Sequence, residues 1–193
     1  MKDSIAGIDY RFDDPCLLEE ALTHRSIGAG NNERLEFLGD SVLGMVVSSR
    51  LFERFPDAPE GDLTRMRARL VRGSTLARLG KELNLGREIM MDPGVMKSAG
   101  FRNASILADA VEALIGAIYL DGGYAAVRAV VLEKFEPLIE DLPSIEQLKD
   151  PKTRLQEWLQ GRGRPLPEYH LVKEEGADHA KRFLVRCRLP DRQ

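Results

Sequence analysis

Apolar residues recur at helical spacing through the first 141 residues of the chain. The clearest helical patterns run from about Glu33 to Arg54 and from about Asn103 to Leu120. Between Ser41 and Val47 almost every residue is apolar, which predicts that the middle of the first of these helices is buried on most sides. The pattern therefore predicts an all-helical body for residues 1–141.

Turn and cap residues divide this body into separate helices. Asp62 follows a loop that contains two prolines, and it is predicted to cap a third helix. Gly122 and Gly123 are predicted to end the helix that begins at Asn103, and another helix follows them. Residues 86–102 lack clean periodicity, which predicts a loop that contains a short helix.

The pattern changes after residue 141. Residues 142–149 are predicted to be a linker. A short helix is expected over residues 152–160, with Trp158 among the residues that face inward. Strand patterns follow over residues 167–173 and 183–189, and the second of them alternates apolar and polar positions. The tail is therefore predicted to have the order helix–strand–strand.

Composition favours a globular cytoplasmic protein. The chain has 193 residues, and the 43% that are hydrophobic are enough for a core. The N-terminus lacks the apolar segment of a secretory signal, and no apolar run approaches the roughly 20 residues of a membrane helix. Cys16 and Cys187 lie far apart, as expected for reduced thiols. No membrane partner is expected.

Charge is distributed unevenly along the chain. The net charge is −3, but residues 1–148 carry −7 and residues 149–193 carry +4. A basic tail on an acidic body suits a polyanionic substrate that is held mainly by the tail.

Four carboxylates in two helical segments form the strongest chemical signal. Glu36 and Asp40 are four residues apart, and Asp109 and Glu112 are three apart, so each pair lies on one helix face. Both pairs lie among apolar residues, where crowded carboxylates repel each other unless a cation joins them. Oxygen ligands without nearby thiolate or imidazole favour Mg²⁺ or Mn²⁺ over zinc. A solvated helix face is the alternative interpretation of either pair alone.

A helical bundle with buried carboxylates could instead hold a di-iron site, and the sequence can be checked for one. Such sites require Glu-x-x-His motifs. None of His24, His170 and His179 has a glutamate three residues before it. The sequence therefore does not support a di-iron protein.

Four sequence segments together resemble the ribonuclease III family. They occur in the order in which that family has them: Ala21–Ser26, Glu33–Ser41, Glu60–Arg67 and Ser105–Gly116. The helix–strand–strand tail resembles the start of a double-stranded RNA-binding domain, in which a third strand and a second, basic helix would follow. The chain stops at Gln193 before either of them.

The resemblance implies an all-α endonuclease domain over residues 1–141 and, after the linker at 142–149, a partial α+β (α-β-β) double-stranded RNA-binding domain over residues 150–193. The implied activity is cleavage of both strands of double-stranded RNA, as in ribosomal RNA precursor maturation. The implied products have 5′-phosphate and 3′-hydroxyl ends with short 3′ overhangs. The implied assembly is a homodimer with one acidic cluster in each subunit.

The resemblance also implies roles for the four carboxylates. Glu36, Asp109 and Glu112 are expected to bind Mg²⁺, for which Mn²⁺ can substitute. Asp40 is expected to orient the attacking water from outside the ligand set, because the longer Glu112 can bridge. Asp40 and Glu112 are thus the expected catalytic residues.

Further residues match family positions, and each also has a simpler explanation. The residues expected to line the cleavage valley or to contact RNA are Glu33, Glu60, Arg65, Lys97 and Gln156. The alternative is a favourable charge at a helix N-terminus for Glu33, an ordinary loop position for Glu60, and a solvated helix face for Arg65 and Gln156. The residues expected at a two-fold dimer interface are Phe37, Leu38, Val42 and Leu43. Ordinary core packing is the alternative for these four.

Two other functions remain open at this point. A protein that binds double-stranded RNA without cutting it would have the same RNA-binding tail. Because all four carboxylates are present, the sequence favours the nuclease. The chain could also act like short members of the family that lack the RNA-binding domain and trim structured ribosomal RNA.

Overall fold

The computed structural model describes residues 2–98, 103–143, 151–176 and 181–189. The chain divides into two compact units, Met1–Leu142 and Pro143–Gln193. Most of the predicted linker at 142–149 lies outside the described residues. Within the described part, no helix combines the length and the apolar character needed to cross a membrane.

The first unit is all-helical, as the sequence predicts. Its helices are α1 (Pro15–Ala21), α2 (Glu33–Arg54), α3 (Glu60–Leu70), α4 (Gly73–Glu82), α5 (Pro93–Ser98) and α6 (Ala104–Glu140). Two short 3₁₀ turns, Arg25–Ile27 and Leu85–Arg87, lie between them.

Helix α6 is the centre of this unit, and α1, α2 and α4 pack against it. Its first half is buried almost all the way round, because nearly every residue from Ile106 to Ile118 is apolar. The predicted break occurs at Gly123, whose φ of 74° is not helical, and the helix continues beyond it to Glu140. Just before the break, the Asp121 carboxylate accepts a hydrogen bond of 2.6 Å from the Tyr10 hydroxyl.

Asp62 does not cap α3, so this prediction is wrong. The helix already begins at Glu60, and Asp62 lies buried within its first turn. Arg65 Nη2 donates to the Asp62 carboxylate at 2.7 Å. Asp62 thus has its partner inside the helix.

The second unit has the predicted order of helix, strand and strand. It consists of α7 (Pro151–Gln160) and an antiparallel pair of strands, β1 (Glu168–Glu175) and β2 (Arg182–Arg188). The register pairs Leu171 with Val185, and a bulge follows Leu171. The residues of β2 are exposed on both faces, although apolar and polar positions alternate along the strand.

Trp158 also departs from the prediction, because its side chain is 46% exposed and not inward. Leu159 is buried as expected. The Arg162 guanidinium lies 4.1 Å from the centre of the Trp158 ring. This cation–π contact explains how the indole stays at the surface.

Candidate metal centre

Two glycines bring α2 and α6 into backbone contact. A Cβ on Gly39 would stand 1.7 Å from the carbonyl oxygen of Glu112. A Cβ on Gly116 would stand 2.3 Å from the carbonyl oxygen of Leu35. Neither position has room for a side chain, so the two helices approach each other as closely as their backbones allow. This crossing places the acidic turn of α2 against the acidic turn of α6.

Three carboxylates meet at the crossing. Glu36, Asp109 and Glu112 each contribute an oxygen to a group whose members all lie within 4.8 Å of one another. The three side chains are half-buried. An oxygen-only ligand set of this kind is what Mg²⁺ and Mn²⁺ prefer. The residues therefore fit a divalent cation.

Burial and mutual repulsion disturb the ionisation of Glu112 most strongly. Burial raises the pKa of Glu112 to about 7, and the charges of Asp40, Glu36 and Asp109 act in the same direction. Asp40 itself is exposed and lies outside the three-carboxylate group. The Asp40 carboxylate is thus near enough to act on Glu112 without belonging to the three-carboxylate group.

Glu36 and Asp109 are affected in the same direction. Burial, followed by the charges of Asp109 and Glu33, raises the pKa of Glu36. Burial also raises the pKa of Asp109, whereas the nearby Arg25 and His24 lower it. A bound cation would offset the repulsion between these carboxylates, because it stabilises their charged forms.

The two further acidic residues lie outside this group. Glu33 is exposed at the start of α2, and its Oε1 lies 3.8 Å from Arg25 Nη1. Glu60 is exposed at the start of α3, where it accepts a 2.8 Å hydrogen bond from the Thr64 hydroxyl. Glu60 also borders a cleft between α2 and α3 that Phe52 helps to line. The structure therefore brings neither residue into the three-carboxylate group.

The residues predicted to contact RNA have different surroundings. Arg65 is engaged by Asp62 through the ion pair within α3. Lys97 is exposed on α5. Gln156 is half-exposed on α7, in the second unit. Lys97 and Gln156 thus remain available to a ligand, whereas Arg65 has a structural partner.

The four predicted interface residues divide into two groups. Phe37 is 79% exposed and Leu38 is partly exposed. Val42 and Leu43 are only 6% and 0% exposed. This burial favours core packing for Val42 and Leu43, and their place at an interface stays a prediction. The sequence did not single out Phe52, which is 73% exposed and extends the apolar surface of α2.

His24 and Arg25 are the neighbours of the cluster that the sequence did not identify as site residues. They lie in and just before the first 3₁₀ turn, and both act on the ionisation of Asp109. The only signal was their place in the segment Ala21–Ser26, one of the four that resemble the family.

Comparison with protein families identifies both units. Residues 14–138 match the Ribonuclease-III-like family model. Residues 151–193 match the double-stranded RNA binding motif. Ribonuclease 3 of Dechloromonas aromatica strain RCB is 55% identical over 182 residues, which cover 94% of this chain and 82% of that protein. Ribonuclease 3 of Alkalilimnicola ehrlichii is 53% identical over 191 residues, which cover 98% and 84% respectively.

Solved structures agree with this assignment. A nuclease domain of ribonuclease III from Campylobacter jejuni, described for flexibility in its dimer-forming region, aligns with a TM-score of 0.65. It is 45% identical, and the alignment covers 66% of this chain and 90% of that domain. Dicer from Pichia stipitis aligns over 93% of this chain and 82% of its own, with 27% identity and a TM-score of 0.53. The fold, the acidic crossing and these matches together show that this chain belongs to the ribonuclease III family.

Proposed function

We propose that this endoribonuclease hydrolyses both strands of double-stranded RNA with a divalent cation, Mg²⁺ or Mn²⁺, held by Glu36, Asp109 and Glu112. The observation that supports the proposal best is the grouping of three half-buried carboxylate oxygens within 4.8 Å. Without a cation, this arrangement would place repelling charges in a partly desolvated site.

The chemistry divides between the cation and the side chains. A divalent cation supplies Lewis acidity, which makes water a better nucleophile and offsets charge on the scissile phosphate. The three carboxylates fix the position of the cation. Asp40, exposed beside Glu112, orients the attacking water and accepts its proton. The products are 5′-phosphate and 3′-hydroxyl ends.

RNA recognition is divided between the two units in this proposal. The second unit matches the double-stranded RNA binding motif, and it recognises the A-form duplex by shape and backbone. Gln156 on α7 contacts the minor groove, where 2′-hydroxyls are displayed. Glu33, Glu60 and Lys97 of the first unit line the path of the RNA. The +4 charge of residues 149–193 favours binding to phosphates.

A homodimer would explain why both strands are cut with short 3′ overhangs. The α2 surface exposes Phe37, Met45 and Phe52, which recur at helical spacing along one face. Large apolar side chains that follow one another along a surface mark an interaction site. We propose that this face meets its own copy, so that each of two acidic clusters cuts one strand.

The non-cleaving alternative has no supporting observation, since all four carboxylates are present and three of them converge. We place the activity in the cytoplasm, in keeping with the two free cysteines.

The direct test of metal-dependent cleavage is incubation of long duplex RNA with the protein in Mg²⁺, in Mn²⁺ and in excess chelator. Cleavage in both metals and none in chelator is expected. Cleavage that persists in chelator would contradict the metal site.

A further inference from the structure

His24 is held in place by hydrogen bonds from both its backbone and its ring. Its N–H donates to the Met90 carbonyl at 2.9 Å, and its carbonyl accepts from the Ile27 N–H at 3.0 Å. The ring Nδ1 accepts from the Ser26 N–H at 3.1 Å. The imidazole therefore has a defined position and is not a freely rotating surface side chain.

Ser26 also determines which ring nitrogen carries the hydrogen. Because Nδ1 accepts from the Ser26 N–H, it is unprotonated in the neutral ring. The Ser26 Oγ lies 2.8 Å from Nδ1 and itself accepts from the Asp92 N–H at 2.9 Å, so its hydroxyl hydrogen is available to Nδ1. The neutral imidazole of His24 must then carry its hydrogen on Nε2.

This Nε2–H is an unused donor at the edge of the site. The ring is partly exposed, and in the described part of the chain Nε2 has no hydrogen-bond partner. Capping of the 3₁₀ turn accounts for Nδ1 only. The distal nitrogen therefore has a fixed direction and is free to donate to a ligand.

Backbone hydrogen bonds place this donor at the edge of the cluster. The Asn32 N–H donates to the carbonyl of Thr23, the residue before His24, at 2.9 Å, and the Asn32 carbonyl accepts from the Glu36 N–H at 2.8 Å. Arg25, the residue after His24, lies 3.8 Å from Glu33. A cluster of carboxylates repels a phosphate backbone, so donors at its rim are where an RNA strand can be held.

We propose that His24 is a substrate-binding residue of the cleavage site, whose Nε2–H donates to a phosphate oxygen of the RNA strand while Arg25 supplies positive charge beside it. The inference rests on the proposed function and assigns a further residue to it. Hydrogen bonds to an anionic acceptor are stronger than those between neutral groups, so a single donor contributes measurably.

Two amide substitutions test the roles of Nδ1 and Nε2 separately. In His24→Asn, the side-chain oxygen takes the place of Nδ1 and keeps the bond from the Ser26 N–H, but the distal donor is lost. In His24→Gln, the amide nitrogen reaches the position of Nε2, but the cap is lost. We expect His24→Asn to melt like the wild-type protein and to lower kcat/KM on long duplex RNA by roughly tenfold or more. We expect His24→Gln to melt at a lower temperature and to keep most of its kcat/KM.

Binding and spectroscopy test the contact without cleavage. In Ca²⁺, which is expected to permit binding but not cutting, His24→Asn should bind duplex RNA more weakly than the wild-type full chain. Long-range ¹H–¹⁵N NMR spectra should show the Nε2–H form of His24, with an Nε2 shift that changes when duplex is added. His24→Asn identifies the signal by its loss.

Three outcomes would overturn the proposal. Wild-type binding and cleavage by His24→Asn would show that the distal nitrogen contacts nothing. A cleavage defect that disappears at high Mg²⁺ would show that the ring acts through Asp109 and not on the phosphate. If the wild-type protein cut no duplex RNA, the proposed function would fail as well, whereas the first two outcomes leave that function intact.

Discussion

The backbone of Gly39 touches the backbone of Glu112, since a Cβ on Gly39 would stand 1.7 Å from the Glu112 carbonyl oxygen. The contact joins a residue of α2 to a proposed metal ligand of α6. The position of the ligand set therefore depends on a residue with no side chain. This relation can be tested directly.

Gly39→Ala should destabilise the first unit by about 3 kcal/mol or more, because the clash is with backbone that cannot move aside. Cleavage should fall by about 10² or more even in folded protein, since small misplacements of reacting groups are costly. Gly61→Ala is the matched control, because its Cβ would meet only ordinary contacts of 3.7 Å to Arg65. Urea unfolding and a duplex cleavage assay measure both effects. Equal stability of the two variants would contradict the close crossing.

Replacing a proposed metal ligand should separate cleavage from binding. Glu112→Ala should reduce cleavage by at least about a hundredfold. Mutating a residue that only hydrogen-bonds to a metal ligand already lowers activity by about 10–100-fold, and Glu112 is a proposed ligand itself. The affinity for duplex RNA in Ca²⁺ should stay near that of the wild-type protein, because the proposed RNA contacts lie mainly in the second unit. Asp40→Asn should also lose activity, since an amide cannot accept a proton. If Glu112→Ala lost RNA binding while remaining folded, Glu112 would have a different role.

The metal-free protein should become less stable as pH rises from about 4.5 to about 7. Burial raises the pKa of Glu112 from 4.5 to about 7, so folding favours the protonated form, and this contribution is lost above the folded pKa. Glu112→Gln cannot titrate and should lose less stability over the same window. Urea unfolding at pH 5 and pH 8 in chelator measures the difference. Parallel pH profiles for the two proteins would argue against a buried, crowded Glu112.

At pH 8, added Mg²⁺ should reverse this loss. A cation that binds only the folded state stabilises it by mass action. The wild-type protein should therefore gain more stability from Mg²⁺ than Glu112→Gln, which lacks one charged ligand. Equal gains would place the cation somewhere else.

Phe37→Glu should disrupt self-association. Sedimentation of the wild-type protein should give a mass near twice 21.6 kDa, and the variant should give the monomer mass. The control is Leu120→Glu, which alters an exposed leucine on α6 and should leave the dimer intact. A wild-type monomer that cuts both strands would refute the two-site model.

Arg65 should behave as a structural residue. Arg65→Ala leaves the buried Asp62 carboxylate without its partner and should cost about 1–3 kcal/mol. The double variant Asp62→Ala with Arg65→Ala should lose less free energy of unfolding than the two single variants lose in sum. Duplex affinity in Ca²⁺ should hardly change. A large loss of affinity with little loss of stability would restore Arg65 as an RNA contact.

The sequence alone predicted the helices, apart from the start of α3, and the type of ligand atom. Helix α2 covers the predicted residues 33–54, because cap, periodicity and loop signals agree there. The spacing of Glu36, Asp40, Asp109 and Glu112 depends only on helical geometry, and the oxygen-only ligand type follows from the residues themselves. The helix–strand–strand order of the tail was likewise visible in its periodicity.

Only the tertiary structure decided which residues meet and which face outward. The convergence of Glu36, Asp109 and Glu112 requires the glycine crossing of α2 and α6, which no local pattern encodes. Leu43 and Phe37 are both apolar and on the same helix, yet one is buried by α6 packing and the other is exposed. The position of His24 is likewise set by its contacts with Ser26 and Met90. Periodicity records the geometry of one helix, whereas burial and contact depend on the neighbours that the fold places around it.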